Sequence, residues 1–167
     1  MGFDLTGLNP EASTPQPKWN GDDPMIKTGE NSWKVAPQIK EEYDDYMKSR
    51  WEWQDATEGA YFRNNVWGWR PLWSYVCNVC YDILSDKDAS AGSFNDGHKI
   101  SNLKAKKIAK RLRKCLKDGH VELTEAKYRQ DQEQLPDEDW NKSYPFYTKN
   151  VERFERFCEK SGGFEIW

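Results

Sequence analysis

The residues best equipped for chemistry sit in one run, Tyr61-Phe62-Arg63-Asn64-Asn65-Val66-Trp67-Gly68-Trp69-Arg70-Pro71-Leu72-Trp73, with five aromatic rings, two arginines and two asparagines in thirteen positions. A guanidinium offers a planar, bidentate donor to phosphate, and Tyr and Trp faces accept a stacked base. Tyr61, Trp67 and Trp69 are therefore candidates for stacking, Arg63 and Arg70 for phosphate, and Asn64 and Asn65 for a base edge or ribose hydroxyl. The same composition also suits a core: buried Arg and Asn need partners, which capping by both asparagines and an acid beside Arg70 would supply. Pocket and core both remain open at this level.

A second cluster, Asn95-Asp96-Gly97-His98-Lys99, precedes a basic helix. Free N–H groups and the helix dipole favour an anion at such a start, so His98 and Lys99 join the phosphate candidates and Asn95 and Asp96 the polar readers. The alternative is a plain turn, since Asn, Asp and Gly tolerate left-handed backbone and bond to their own chain. Cys77-x-x-Cys80 invites zinc, but a zinc site takes about four ligands, and Cys115 and Cys158 fall on other segments without a second pair. The four thiols read as reduced, small and buried, with no metal and no cofactor. Only His98 and His120 could serve as histidine bases. Triad signature, phosphate-binding loop and dinucleotide fingerprint are all missing, so no catalytic residue is assigned.

The elements that must position these groups are mainly helical. Pro37 to Ala56, Pro71 to Leu84, 101–117, 122–134 and Asn150 to about Ser161 carry apolar residues at helical spacing, with Ser101 as a cap and Gly119 and Gly162-Gly163 as stops. Ser85 to Gly97 reads as a polar loop. The fold expected is a compact, mainly α domain of four to five helices with an aromatic core. Phe164-Glu165-Ile166-Trp167 alternates like a strand and can pair with Gly2-Phe3-Asp4-Leu5 as a small two-stranded sheet joining the chain ends. Residues 1–167 read as one domain, and 11–36, rich in Pro and polar residues, as an extended arm or insertion.

Leu, Ile, Val and Phe make up only 28 of 167 residues, but 9 Trp and 8 Tyr add ring mass that can carry a core. The net charge of -3 argues against nucleic acid as a partner, which calls for a positive excess. The basic face of 101–117 is then either solvated or a local anion site. No stretch has the length and apolarity of a membrane span and the first residues lack a leader pattern, so a cytoplasmic protein with no membrane partner is expected.

The chain resembles a group of small proteins found in bacteria and their phages. The likeness rests on Met1-Gly2-Phe3-Asp4-Leu5 with Gly7 and Asn9-Pro10, on the thirteen-residue run, on Asn95-Asp96-Gly97, on Ile108-Ala109-Lys110-Arg111-Leu112, on Tyr144-Pro145-Phe146 and on Ser161-Gly162-Gly163-Phe164. Residues 11–57 depart from it as an insertion, and 129–143 lacks the cysteine pairs some members carry. The phage members are similar in kind to small proteins that counter bacterial immunity, some by soaking up nucleotide-derived signals. The likeness supplies no catalytic residue. It implies non-enzymatic sequestration of a small phosphate-bearing nucleotide-type ligand. The alternatives are a module docking on a host protein, a hydrolase of the same ligand class, and homo-oligomer formation alongside any of these.

Overall fold

The computed structural model describes residues 2–167. In chain order its elements are β1 (Gly2–Gly7), β2 (Met25–Gly29), β3 (Ser32–Val35), α1 (Lys40–Ala56), β4 (Tyr61–Asn65) and α2 (Val66–Val79). They continue as α3 (Asp86–Ala91), β5 (His98–Ser101), α4 (Asn102–Lys117), α5 (His120–Glu133), α6 (Thr148–Lys160) and β6 (Gly163–Ile166). The expected mainly α fold of four to five helices is thus corrected. The protein is helix-rich but mixed α/β, with six α-helices, a four-stranded antiparallel sheet and a two-stranded one among the described residues.

The chain divides into two compact units, where the sequence suggests one domain with an arm at 11–36. One comprises residues up to Glu11 with Glu58–Trp167, the other Ala12–Thr57. In the second, β2 and β3 form a hairpin, with Met25 opposite Val35 and Lys27 opposite Trp33. Trp19 packs on Tyr43 and Tyr46 of α1, with ring centroids 5.3 and 5.6 Å apart. So part of the expected arm is paired strand, and its Trp19 is docked.

The first unit is built on the joined chain ends. β1 pairs with β6, Leu5 opposite Ile166 and Gly7 opposite Phe164, and Asp4 and Trp167 exchange backbone hydrogen bonds of 2.8 Å. That expected pair is the centre of the larger sheet, ordered β4-β1-β6-β5. Alternation sends Phe3, Leu5, Phe62, Ile100, Phe164 and Ile166 inward, onto Ile108 and Leu112 of α4 and Val151, Phe154 and Phe157 of α6. Gly162 and Gly163 turn α6 into β6 at φ of 64° and 93°, a backbone that side chains resist.

Two departures concern the thirteen-residue run. Its first five residues, to which the sequence pattern assigns no element, form a strand, with Phe62 fully inward between exposed Tyr61 and Arg63. The following helix starts at Val66, not Pro71, because the Asn65 side chain accepts the Gly68 N–H at 2.9 Å and caps it there. Pro71 then lies inside the helix, where it removes one N–H from the ladder. The expected loop 85–97 also holds α3, capped by Ser85 and Asp88 in reciprocal hydrogen bonds.

Trp69 is 0% exposed. Its ring stacks on Phe3 at 5.3 Å and on Trp73 at 5.2 Å, and its Nε1 donates to the Gly92 carbonyl at 2.6 Å. Trp73 Nε1 donates to the Ala89 carbonyl at 2.9 Å. A Cβ on Gly92 would fall 1.9 Å from Trp73 Nε1, so this close approach requires glycine. Trp69→Ala is expected to lower stability in urea by about 3–5 kcal/mol, as for a large aromatic lost from a packed core, while Trp67→Ala costs under about 1 kcal/mol. Similar losses in both would contradict this division of the run.

Candidate functional site

The alternation of β4 disperses the first candidates. Tyr61 and Arg63 lie on the outer face of the sheet, and both turn to Asp4 on β1. The Tyr61 hydroxyl donates to the Asp4 carboxylate, and Arg63 Nε lies 3.5 Å from it. Burial and this acceptor push the Tyr61 hydroxyl up to about 12. Asn64 points the other way, beside Gly68, and its Nδ2 is buried with no hydrogen-bond partner. Asn65 is the cap of α2. Trp69, one of the three stacking candidates, is covered on both faces by core rings and is corrected to a core residue.

The strand residues of the second cluster, His98 and Lys99, do not join the first. β5 and β4 are opposite edges of the sheet, three interstrand steps or about 14 Å apart. Asn95 Nδ2 donates to the Gly2 carbonyl at 2.9 Å, Asp96 is exposed, and Lys99 lies 3.6 Å from Glu165. His98 Nε2 donates to Asp88 Oδ1 at 2.9 Å, and Lys104 and Ser85 hold the other carboxylate oxygen. Burial opposes the charge on Asp88, but Lys104, Ser85 and His98 outweigh it and hold the carboxyl far below its usual range. His98 and Lys99 are thus held by acids of the fold and do not reach the β4–α2 residues. The basic face of α4 is partly matched in the same way, with Arg111 on Asp82 and Arg113 on Glu155 and Glu159.

The thiols offer no alternative centre. All four cysteines are free, and burial pushes Cys77 up to about 11 and Cys80 up to about 12. Among the described residues there is no His, Cys, Asp or Glu group able to hold a metal. No described helix is long and apolar enough to cross a membrane.

Two candidates do meet a cavity. Arg70 and Trp67 converge on Tyr144, in the segment between α5 and α6. Arg70 Nη1 donates to the Tyr144 hydroxyl at 3.1 Å, its guanidinium carbon lies 5.6 Å from that ring centre, and the Trp67 ring lies 4.7 Å from it. Gln132 of α5 anchors the segment by donating to the Asn141 and Tyr144 carbonyls, both at 2.9 Å. On the Arg70 side opens a hollow of about 550 Å³ with Tyr75, Asn78, Tyr128, Trp140 and Phe146 in its walls. Its lining has one cation, Arg70, and no acid. Neither Arg70 nor Arg153 has a carboxylate within ion-pair distance among the described residues of this unit. On the Trp67 side a larger hollow, about 870 Å³, holds Asn64, Asn65, Lys149 and Arg153 but also Glu125 and Glu152. Thr148 N–H already donates to Glu125 at 2.8 Å, so the start of α6 is occupied by the protein's own anion.

Comparison with known proteins adds nothing to this. No protein-family model, curated protein or solved structure matches the chain. The chemistry of the site rests on its own residues.

Sequence reasoning finds Arg70 but misses the rest of the smaller hollow. Arg70, Ser74 and Asn78 recur every fourth residue on α2, a polar stripe visible in the sequence beside the apolar one. Trp140, Asn141 and Tyr144 give no such signal, because only the return of the chain after α5 brings them to α2.

The Asp88 cluster gives a pH signature. A carboxyl depressed in the folded state adds stability above its unfolded value, about 3.9, which is lost as pH falls through the folded one. The urea midpoint is expected to drop on acidification below about pH 5, and Asp88→Asn to lower it at pH 7 while flattening the acid limb. Identical acid limbs in the two proteins would contradict this.

Proposed function

We propose that the protein is a non-enzymatic binder that sequesters a small, phosphate-bearing nucleotide-type ligand, seated in the hollow beneath Arg70. One observation carries the reading: a guanidinium oriented by Tyr144 and without a carboxylate partner stands over an aromatic-walled hollow that contains no acid. A phosphate would complete the charge, because an Arg with one neutral hydrogen bond keeps further donors free. Tyr75, Tyr128, Trp140 and Phe146 offer ring faces, and Asn78 and Asn141 offer donor and acceptor together. Trp140 is 72% exposed at the rim, as a ring awaiting a stacked partner would be. The one histidine bonded to a lining residue, His120, is engaged by the Tyr75 hydroxyl at 2.8 Å. The likeness to small phage proteins adds the setting we propose, withdrawal of a nucleotide signal from bacterial immunity.

A second reading, docking on a host protein, is favoured by the β2–β3 hairpin, where Met25, Ile26 and Trp33 are all exposed. Purified protein incubated with bacterial extract, washed, denatured and examined by mass spectrometry distinguishes the two. Sequestration predicts an intact nucleotide-type molecule from the wild type and at least about tenfold less from Arg70→Gln, given the strength of a charge-assisted hydrogen bond. A product in place of the ligand would make the protein a hydrolase. A stoichiometric protein with no small molecule would select the docking reading.

A further inference from the structure

Resting on that reading, we infer that the ligand is a mononucleotide with a single phosphate, lying along α2 with its phosphate at Arg70, its sugar at Ser74 and its base at Asn78. The polar stripe sets both length and direction. Arg70, Ser74 and Asn78 are spaced every fourth residue on one helix and all line the hollow, so Arg70 and Asn78 stand about 12 Å apart along the axis. That span is about the reach of one nucleotide from phosphate to base edge.

Charge sets the number of phosphates. The lining has no lysine and one arginine, so a single phosphate is matched and a triphosphate adds negative charge facing only neutral side chains. Lys149 and Arg153 lie in the other hollow, beyond the Trp67–Tyr144 pair and beside Glu125 and Glu152, and give no relief. Polarity orders the two ends. Tyr144 fixes the guanidinium at one end of the stripe. The ring residues of the lining are neutral, with Tyr75 against Phe146 at 5.1 Å and Tyr128 against Phe146 at 6.0 Å. An asparagine amide such as that of Asn78 can donate to and accept from a base edge, but it cannot neutralise a phosphate. Ser74, exposed midway, faces the sugar hydroxyls.

Titration calorimetry on the full chain tests this with adenosine, guanosine, cytidine and uridine, each as nucleoside, 5′-monophosphate and 5′-triphosphate. At least one monophosphate is expected to bind about tenfold or more tighter than both its nucleoside and its triphosphate. Arg70→Gln, an exposed site, should erase the advantage over the nucleoside, and Asn78→Ala should weaken nucleoside and monophosphate alike. A triphosphate that binds tighter than its monophosphate would overturn the single-phosphate inference and leave the nucleotide site standing. Equal binding of nucleoside and monophosphate would overturn the role of Arg70. Binding by none of the twelve would overturn the site itself.

Discussion

The Asn65 side chain, accepting the Gly68 N–H at 2.9 Å, fixes which side chains of α2 are core and which are site. It marks the point where a period of two gives way to a period of 3.6. Upstream, Phe62 faces the core while Tyr61 and Arg63 face outward to Asp4. Downstream, Trp69, Leu72, Trp73 and Val76 enter the core, and Arg70, Ser74 and Asn78 are left on the opposite side of the helix. Moving the switch by one residue would rotate the helix by about 100°, exchanging core and site positions.

The two sides of α2 are coupled through shared residues. Tyr75 is buried, yet it also lines the Arg70 hollow and holds His120 through its hydroxyl. Pro71 is another such residue, buried while lining the hollow. The site is therefore supported from beneath by the aromatic stack and from the far side by the segment that Gln132 anchors. A rigid floor and an anchored wall lessen the ordering a ligand must impose, which favours tight binding of a small molecule.

Much of this fold is legible in the sequence. Helix α4 with its Ser101 cap, α6, and the pairing of the chain ends all follow from periodicity and stop residues. Strand β4 is hidden because Arg63, Asn64 and Asn65 do not read as strand, and it exists because β1 offers it an edge. Strand β5 is hidden in the same way, beside β6. Both are cases of tertiary pairing overriding local propensity. The run Tyr61–Trp73 stands out in the sequence, but its two readings are not exclusive: Trp69 is core and Arg70, its neighbour, lines the hollow. The other wall, Trp140 to Phe146, comes after α5 in the chain, and no local pattern connects it to α2.

One helix thus separates a sealed aromatic core from the open hollow proposed to hold the ligand. Indole N–H resonances report that division directly, since the chain has nine tryptophans distributed between the two environments and elsewhere. In a heteronuclear titration with the nucleoside monophosphates, the Trp140 indole is expected to shift first and the Trp69 and Trp73 indoles, bonded to Gly92 and Ala89, to stay in place. Shifts at Trp69 and Trp73 with Trp140 unmoved would contradict the account and place binding elsewhere.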